Sequence, residues 1–242
     1  MVTVAIGVAG LLAAAVTPAG AQDISVNFGQ GNGLTERVIQ MIALLTVLSL
    51  APSILVMMTS FTRIVVVLSL LRTALGTATA PPNAVIVSLA LFLTAFVMGP
   101  ALQKAYDNGV RPLMANEITT EQAFERGSGP LRAFMEKNVR EKDLKLFVDM
   151  AKEPAPVTPD NISLRILVPA FMISELKRAF EIGFLLFLPF LIIDLVVASV
   201  LMSIGMMMLP PVVISLPFKL IFFVLVDGWS LVAGSLIQSY GT

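Results

Sequence analysis

Three ionisable side chains stand alone in apolar sequence, and they are the first candidates for chemistry. Asp194 is the single charge in the 28 residues Ile182–Leu209, and Lys219 and Asp227 are the only charges in the 26 residues Val212–Ile237. A charge at the middle of a bilayer costs about 2.5–3.5 kcal/mol on the insertion scale, so each of them calls for a partner. Asp194 has no base within four residues on either side. Lys219 and Asp227 are eight positions apart, about 12 Å along a helix and too far to pair directly. Their partners therefore lie on another segment or another chain. Two functions fit such residues, an ion or proton relay and a set of ion pairs that holds an assembly together. The second is favoured, because a relay usually shows more than one carboxylate per segment.

Other polar positions read differently. Arg63 and Arg72 bracket the apolar run Ile64–Leu71; nine positions apart on a helix, they point to opposite faces and share no polar stripe. Glu175, Lys177, Arg178 and Glu181 are spaced so that Lys177 meets Glu181 and Glu175 meets Arg178, which predicts a solvated or interfacial face. Met202, Met206, Met207 and Met208 crowd the approach to Pro210-Pro211. Methionine is flexible and polarizable, so gap-filling in a core is the plainer reading and a deformable apolar constriction the sharper one.

Composition bounds what these residues do. Of 242 residues 57% are hydrophobic and 13% charged, with 16 basic against 16 acidic side chains. A mean hydropathy of +0.89 with about half the usual charge excludes an ordinary soluble globule and points to the membrane. Zero net charge offers no basic face to nucleic acid. The chain has no Cys and no His, which removes disulfides, thiol nucleophiles, the usual zinc ligands and the common general base. The expectation is a non-enzyme without metal or cofactor.

The elements that must position the charges are helical throughout, so the predicted fold class is all-α. Residues 1–21 resemble a secretory signal, with an apolar run Val2–Val16 and cleavage between Ala21 and Gln22. No Lys or Arg precedes the run, so either the α-amino group suffices or the true start lies upstream; an uncleaved first membrane helix is the alternative, disfavoured because the run is short. Residues 22–37 read as a flexible mature N-terminus. Residues 38–102 form a first helical hairpin region containing the uncharged runs Val38–Met58 and Ala84–Leu102. Residues 103–160 hold 19 of the 32 charges and read as a water-exposed helical insertion. Residues 161–242 form a second hairpin region with a methionine-rich turn. Hydropathy alone counts four spans, yet Pro52, Pro189 and Pro217 interrupt them, and Ile182–Leu209 as one helix is about 42 Å long, beyond a ~30 Å hydrocarbon core. Interrupted helices covered by protein partners fit better. With the N-terminus outside, Arg63 and Arg72 fall on the cytoplasmic side, in keeping with the positive-inside rule, and the insertion returns outside.

Within the insertion, Thr119 with Gln122 predicts a capping box, and Gly127–Pro130 predicts a break before a second helix. That helix is expected to carry Leu131, Phe134, Met135, Val139, Leu146 and Met150 on one face. Glu136→Arg140 and Glu141→Lys145 are spaced to support it. Pro154, Pro156 and Pro159 read as a stiff linker.

Several long stretches resemble the flagellar biosynthetic protein FliP family. They are Ser60-Phe61-Thr62-Arg63 through Arg72 with Ala74-Leu75-Gly76 and Pro81-Pro82-Asn83, then Pro169-Ala170-Phe171-Met172-Ile173-Ser174-Glu175-Leu176-Lys177, and Phe187 through Asp194. Gly205-Met206-Met207-Met208-Leu209-Pro210-Pro211 and Leu216-Pro217-Phe218-Lys219 through Asp227-Gly228-Trp229 complete the pattern, which runs from Gln40 onward. The resemblance implies a core subunit of the type III protein export gate at the flagellar basal body in the bacterial inner membrane. Several copies would join FliQ and FliR in a cone-shaped complex through which unfolded flagellar proteins pass. Its helices would be interrupted hairpins, much of them above the bilayer plane, with the insertion on the periplasmic side. It places the family's methionine constriction on Met206, Met207 and Met208, which puts the sharper methionine reading first. It makes Arg63, Glu175, Asp194, Lys219 and Asp227 inter-helix or inter-subunit charges.

The nearest rival is the injectisome homologue of virulence systems, whose members generally lack a cleaved signal peptide. A secondary transporter or ion channel using Asp194 is the rival from another class; it predicts an internal repeat of hydropathy halves, which the sequence does not show.

Overall fold

The computed structural model describes residues 33–77, 79–151, 162–206 and 209–241. Among them every regular element is a helix. The signal-like segment, the Ala21–Gln22 junction, Met207, Met208 and the proline linker lie outside the described residues. By internal contacts the chain divides into two units, Met1–Leu48 and Ser49–Thr242. Helix α1, Gly33–Met57, supplies what is described of the first unit and opens the second. In the first unit its apolar side chains, Ile39, Leu44, Leu45 and Leu48 among them, are exposed.

The second unit is built around α2, Phe61–Leu75. Its buried residues Arg63, Ile64, Val67, Leu68, Leu71, Ala74 and Leu75 form a stripe at helical spacing. The helix stops at Gly76, which takes the left-handed conformation (φ 78°) and returns its N–H to the Thr73 carbonyl. Helix α3, Asn83–Ala105, runs on through a π-helical turn at Tyr106–Val110 into the short α4, Arg111–Met114. The insertion follows with α5, Thr120–Asn138, and α6, Glu141–Ala151. The 40-residue α7, Leu164–Ser203, is about 60 Å long at 1.5 Å per residue. Then come α8, Pro211–Leu225, and α9, Gly228–Gln238.

Two apolar clusters hold these helices together. The first joins α2 to Ile86 and Ala90 of α3, Ala179 and Phe190 of α7, Phe223 of α8, and Val232 and Leu236 of α9. Helices α2 and α7 approach so closely that a Cβ on Gly183 would stand 2.3 Å from Leu70 Cδ1, so glycine is what lets these two helices meet. The second cluster ties the insertion to the rest, with Leu131 and Met135 of α5 against Met98, Leu167 and Phe171.

The structure departs from the sequence reading in several places. Among the described residues two helical stretches, Asn83–Met114 and Leu164–Ser203, are long and apolar enough to cross a membrane, where hydropathy alone counts four runs. A third arises only if α8 and α9, bent by 63°, count as one span. The prolines do not set the breaks: α7 continues through Pro169 and Pro189, and α8 through Pro217. The bend falls instead at Asp227, which adopts the left-handed conformation (φ 50°). Finally, Gly127–Pro130 does not end a helix. Helix α5 passes straight through it, and the chain turns at Val139, which is extended. Leu131 and Met135 are buried, but Leu146 and Met150 sit on a separate helix and are exposed. The ion pairs differ as well: Arg132 bonds Glu136, and Arg140 bonds Asp143. Gly127 serves packing rather than breaking, because the π turn brings Gly109 against it. A Cβ on Gly109 would lie 2.7 Å from the Ala123 carbonyl oxygen and 2.9 Å from Gly127 Cα.

Candidate functional site

The capping box is present, with Thr119 Oγ1 accepting from the Gln122 N–H and the Gln122 side chain accepting from Thr119 N–H. It starts α5, and α5 in turn carries Phe134 to a buried charged site.

That site centres on Arg63 and Glu175. Arg63 lies on the buried stripe of α2 and is 1% exposed, and Glu175 on α7 is 0% exposed. The guanidinium Nε donates to Glu175 Oε2 at 2.9 Å, and Nη2 donates to Oε1. Nη1 turns the other way and donates to Ser239 Oγ at 2.9 Å. The Tyr240 hydroxyl donates to Glu175 Oε2, and the Tyr240 ring lies under the guanidinium, 3.8 Å from its carbon to the ring centroid. Phe134 stacks on Tyr240 at 5.7 Å. A buried ion pair holds only when geometry and extra hydrogen bonds offset desolvation, and this one has both. The pairing of Glu175 with Arg178 on a solvated face is therefore corrected. Lys177 and Glu181 do occupy an exposed face, 3.9 Å apart, while Glu175 points the opposite way into the core.

A second site joins α7 to α8. The Lys219 ammonium donates to Asp194 Oδ2 at 2.6 Å and to the Ala74 carbonyl at 3.3 Å, at the end of α2. Ser215 donates its hydroxyl to the other carboxylate oxygen of Asp194. Lys219 is 5% and Asp194 29% exposed, so the pair is anchored in the core and open at its acidic end. Gly76 borders it, with a notional Cβ at 3.8 Å from Lys219 Nζ.

A third group lies in the insertion. Arg140 Nε and Nη2 each donate to Asp143 at 2.8 Å, and Ser174 Oγ, on α7, donates to Asp143 Oδ2 at 2.7 Å while accepting the Arg140 N–H. The hydrogen-bonded Arg140 guanidinium holds the Asp143 carboxyl below the ordinary carboxylate range, and the Ser174 hydroxyl adds to this against the effect of burial.

Of the residues singled out from sequence, the structure brings Arg63 to Glu175 and Asp194 to Lys219, each within one chain and between helices. It brings Asp227 to neither. Asp227 is exposed at the α8–α9 bend, makes no ion pair among the described residues, and accepts the Leu231 N–H with its carbonyl. Met206 is exposed just beyond α7, and its two neighbours are outside the described residues. Sequence reasoning missed Ser215, Ser239 and Tyr240. The signal for Ser215 was its i,i+4 spacing to Lys219; nothing in the spacing of Ser239 and Tyr240 marks them. Among the described residues no group of three His, Cys, Asp or Glu could hold a metal ion.

Helices apolar enough for a membrane, with one bent pair and with buried charges that join helix to helix, define a membrane protein. The family model described as "FliP family" matches residues 44–236. The flagellar biosynthetic protein FliP of Caulobacter vibrioides is 61% identical over 238 residues, covering 97% of this chain and 90% of its own length. Those of Bacillus subtilis and Aquifex aeolicus are 55% and 52% identical, covering 84% and 90% of this chain and 91% of their own lengths in both cases. The chain belongs to the FliP family, a family of flagellar biosynthetic proteins and not a known family of enzymes.

Proposed function

We propose that this chain is a core subunit of the flagellar type III protein export gate, assembling as several copies with FliQ and FliR around a path for unfolded flagellar proteins. The observation that carries the reading is the extent of the family match: residues 44–236 include both inter-helix ion pairs, the bend at Asp227 and the Met206-Met207-Met208 sequence. The gate sits in the bacterial inner membrane at the basal body, with the 103–160 insertion on the periplasmic side and lipid or partner helices against the exposed apolar side chains. Met206, Met207 and Met208 close the path, a role suited to soft, adaptable side chains. Asp227, exposed and unpaired among the described residues, meets a charge on a neighbouring chain. The signal is removed after Ala21. The pairing of Asp194 with Lys219 supports this reading over a transporter that uses Asp194 as its ion site. The test is the native mass of the detergent-extracted protein co-expressed with FliQ and FliR. The expected result is one stable assembly several times 25.9 kDa that contains both partners; a monomer indifferent to them would overturn the proposal.

A further inference from the structure

The insertion carries an open cavity of about 520 Å³ between the end of α3 and one flank of α5, walled by Pro130 and Phe134 and lined by Lys104, Arg126 and Lys137. None of the three cations makes an ion pair among the described residues, and no carboxylate lines the cavity. Arg126 and Lys137 are eleven positions apart, three helical turns, so they stand on one flank of α5. The opposite flank of the same helix exposes Glu121 and Glu125, an i,i+4 pair likewise without an ion pair among the described residues. Across the exposed side of the helix the two flanks are about 130° apart around the axis, and Leu131 and Met135 are buried on the remaining arc. One helix thus presents an unmatched basic pocket and an unmatched acidic ridge that cannot reach one another.

Such a pair of surfaces is complementary between copies and not within one. A heterologous, head-to-tail contact between them leaves a free basic pocket at one end and a free acidic ridge at the other, and closes when the rotation permits a ring. We infer that the occupant of the Lys104–Arg126–Lys137 pocket is the Glu121–Glu125 ridge of a second copy of this chain. The inference rests on the reading of the protein as a multi-copy subunit and specifies which surfaces set the order of neighbours. Opposed unlike charges fix register and exclude wrong docking, since like charges brought together are strongly disfavoured.

The experiment is a charge swap in the full chain co-expressed with FliQ and FliR, read by native mass. Arg126→Glu with Lys137→Glu alone, or Glu121→Lys with Glu125→Lys alone, is expected to lower the assembled fraction by about tenfold or more. All four substitutions in one chain are expected to restore it, which a merely folding-defective variant would not do. Circular dichroism of each variant monitors the helices independently. Assembly unaffected by either single swap, or not rescued by the combined one, overturns the inference and leaves the export-gate reading standing. Loss of a co-purifying anionic lipid with assembly intact overturns it too and assigns the pocket to a lipid headgroup. A wild-type protein that never assembles overturns the export-gate reading itself.

Discussion

Arg63 and Glu175 are 112 positions apart in the chain and form a bidentate ion pair from which solvent is excluded. The last described residues of the chain complete it, Ser239 taking the third guanidinium nitrogen and Tyr240 covering both partners. Helix α2, helix α7 and the C-terminal segment are thereby fastened at one point.

Glu175→Gln leaves a buried guanidinium without its counter-charge and is expected to cost about 3–5 kcal/mol. Thermal unfolding in detergent reads this as a marked fall in midpoint. The double change Arg63→Met with Glu175→Leu removes both charges and is expected to recover most of the loss. A Glu175→Gln protein as stable as wild type would show the pair to be dispensable.

Asp194→Asn strips the anion from Lys219 but leaves its bond to the Ala74 carbonyl. Because Asp194 is partly exposed, the expected cost is smaller, about 1–3 kcal/mol. The yield of intact complex should fall in step with motility. Normal complex with lost export would instead assign Asp194 a transport role.

Asp143 gives a pH dependence. Its folded-state carboxyl titrates below its unfolded value, so its contribution is complete above the unfolded value and is lost as pH falls through the folded one. Asp143→Asn is expected to destabilise by about 1.5–3 kcal/mol at neutral pH. The gap to wild type should close on acidification below about pH 4, as followed by chemical denaturation. A constant gap down to pH 2 would remove Asp143 from the effect.

Replacing Met206, Met207 and Met208 together by Ala shortens the side chains proposed to close the path. Reconstituted complexes of this variant are expected to pass small ions where the wild type does not. Equal conductance would move the barrier elsewhere.

The class of protein was legible from local sequence alone. Long uncharged runs, the lack of His and Cys, and the charge-rich 103–160 stretch are properties of composition and of order along the chain. Thr119 with Gln122 predicted its helix start because a capping box needs only four consecutive residues. Pairings were not local in this way. Glu175 has Arg178 three residues away, yet it bonds Arg63, because the buried face of α7 is chosen by packing against α2 and carries Glu175 inward. Pro130 and Pro217 read as breakers, but α5 and α8 run through them, since burial of Leu131, Met135 and Phe223 outweighs a lost backbone bond. The sequence by itself determined that isolated charges in apolar helices need partners, because burying a lone charge is too costly. Which residues met was decided only by the tertiary structure, where the approach of α2, α7, α8 and the C-terminal segment brings distant side chains within bonding distance.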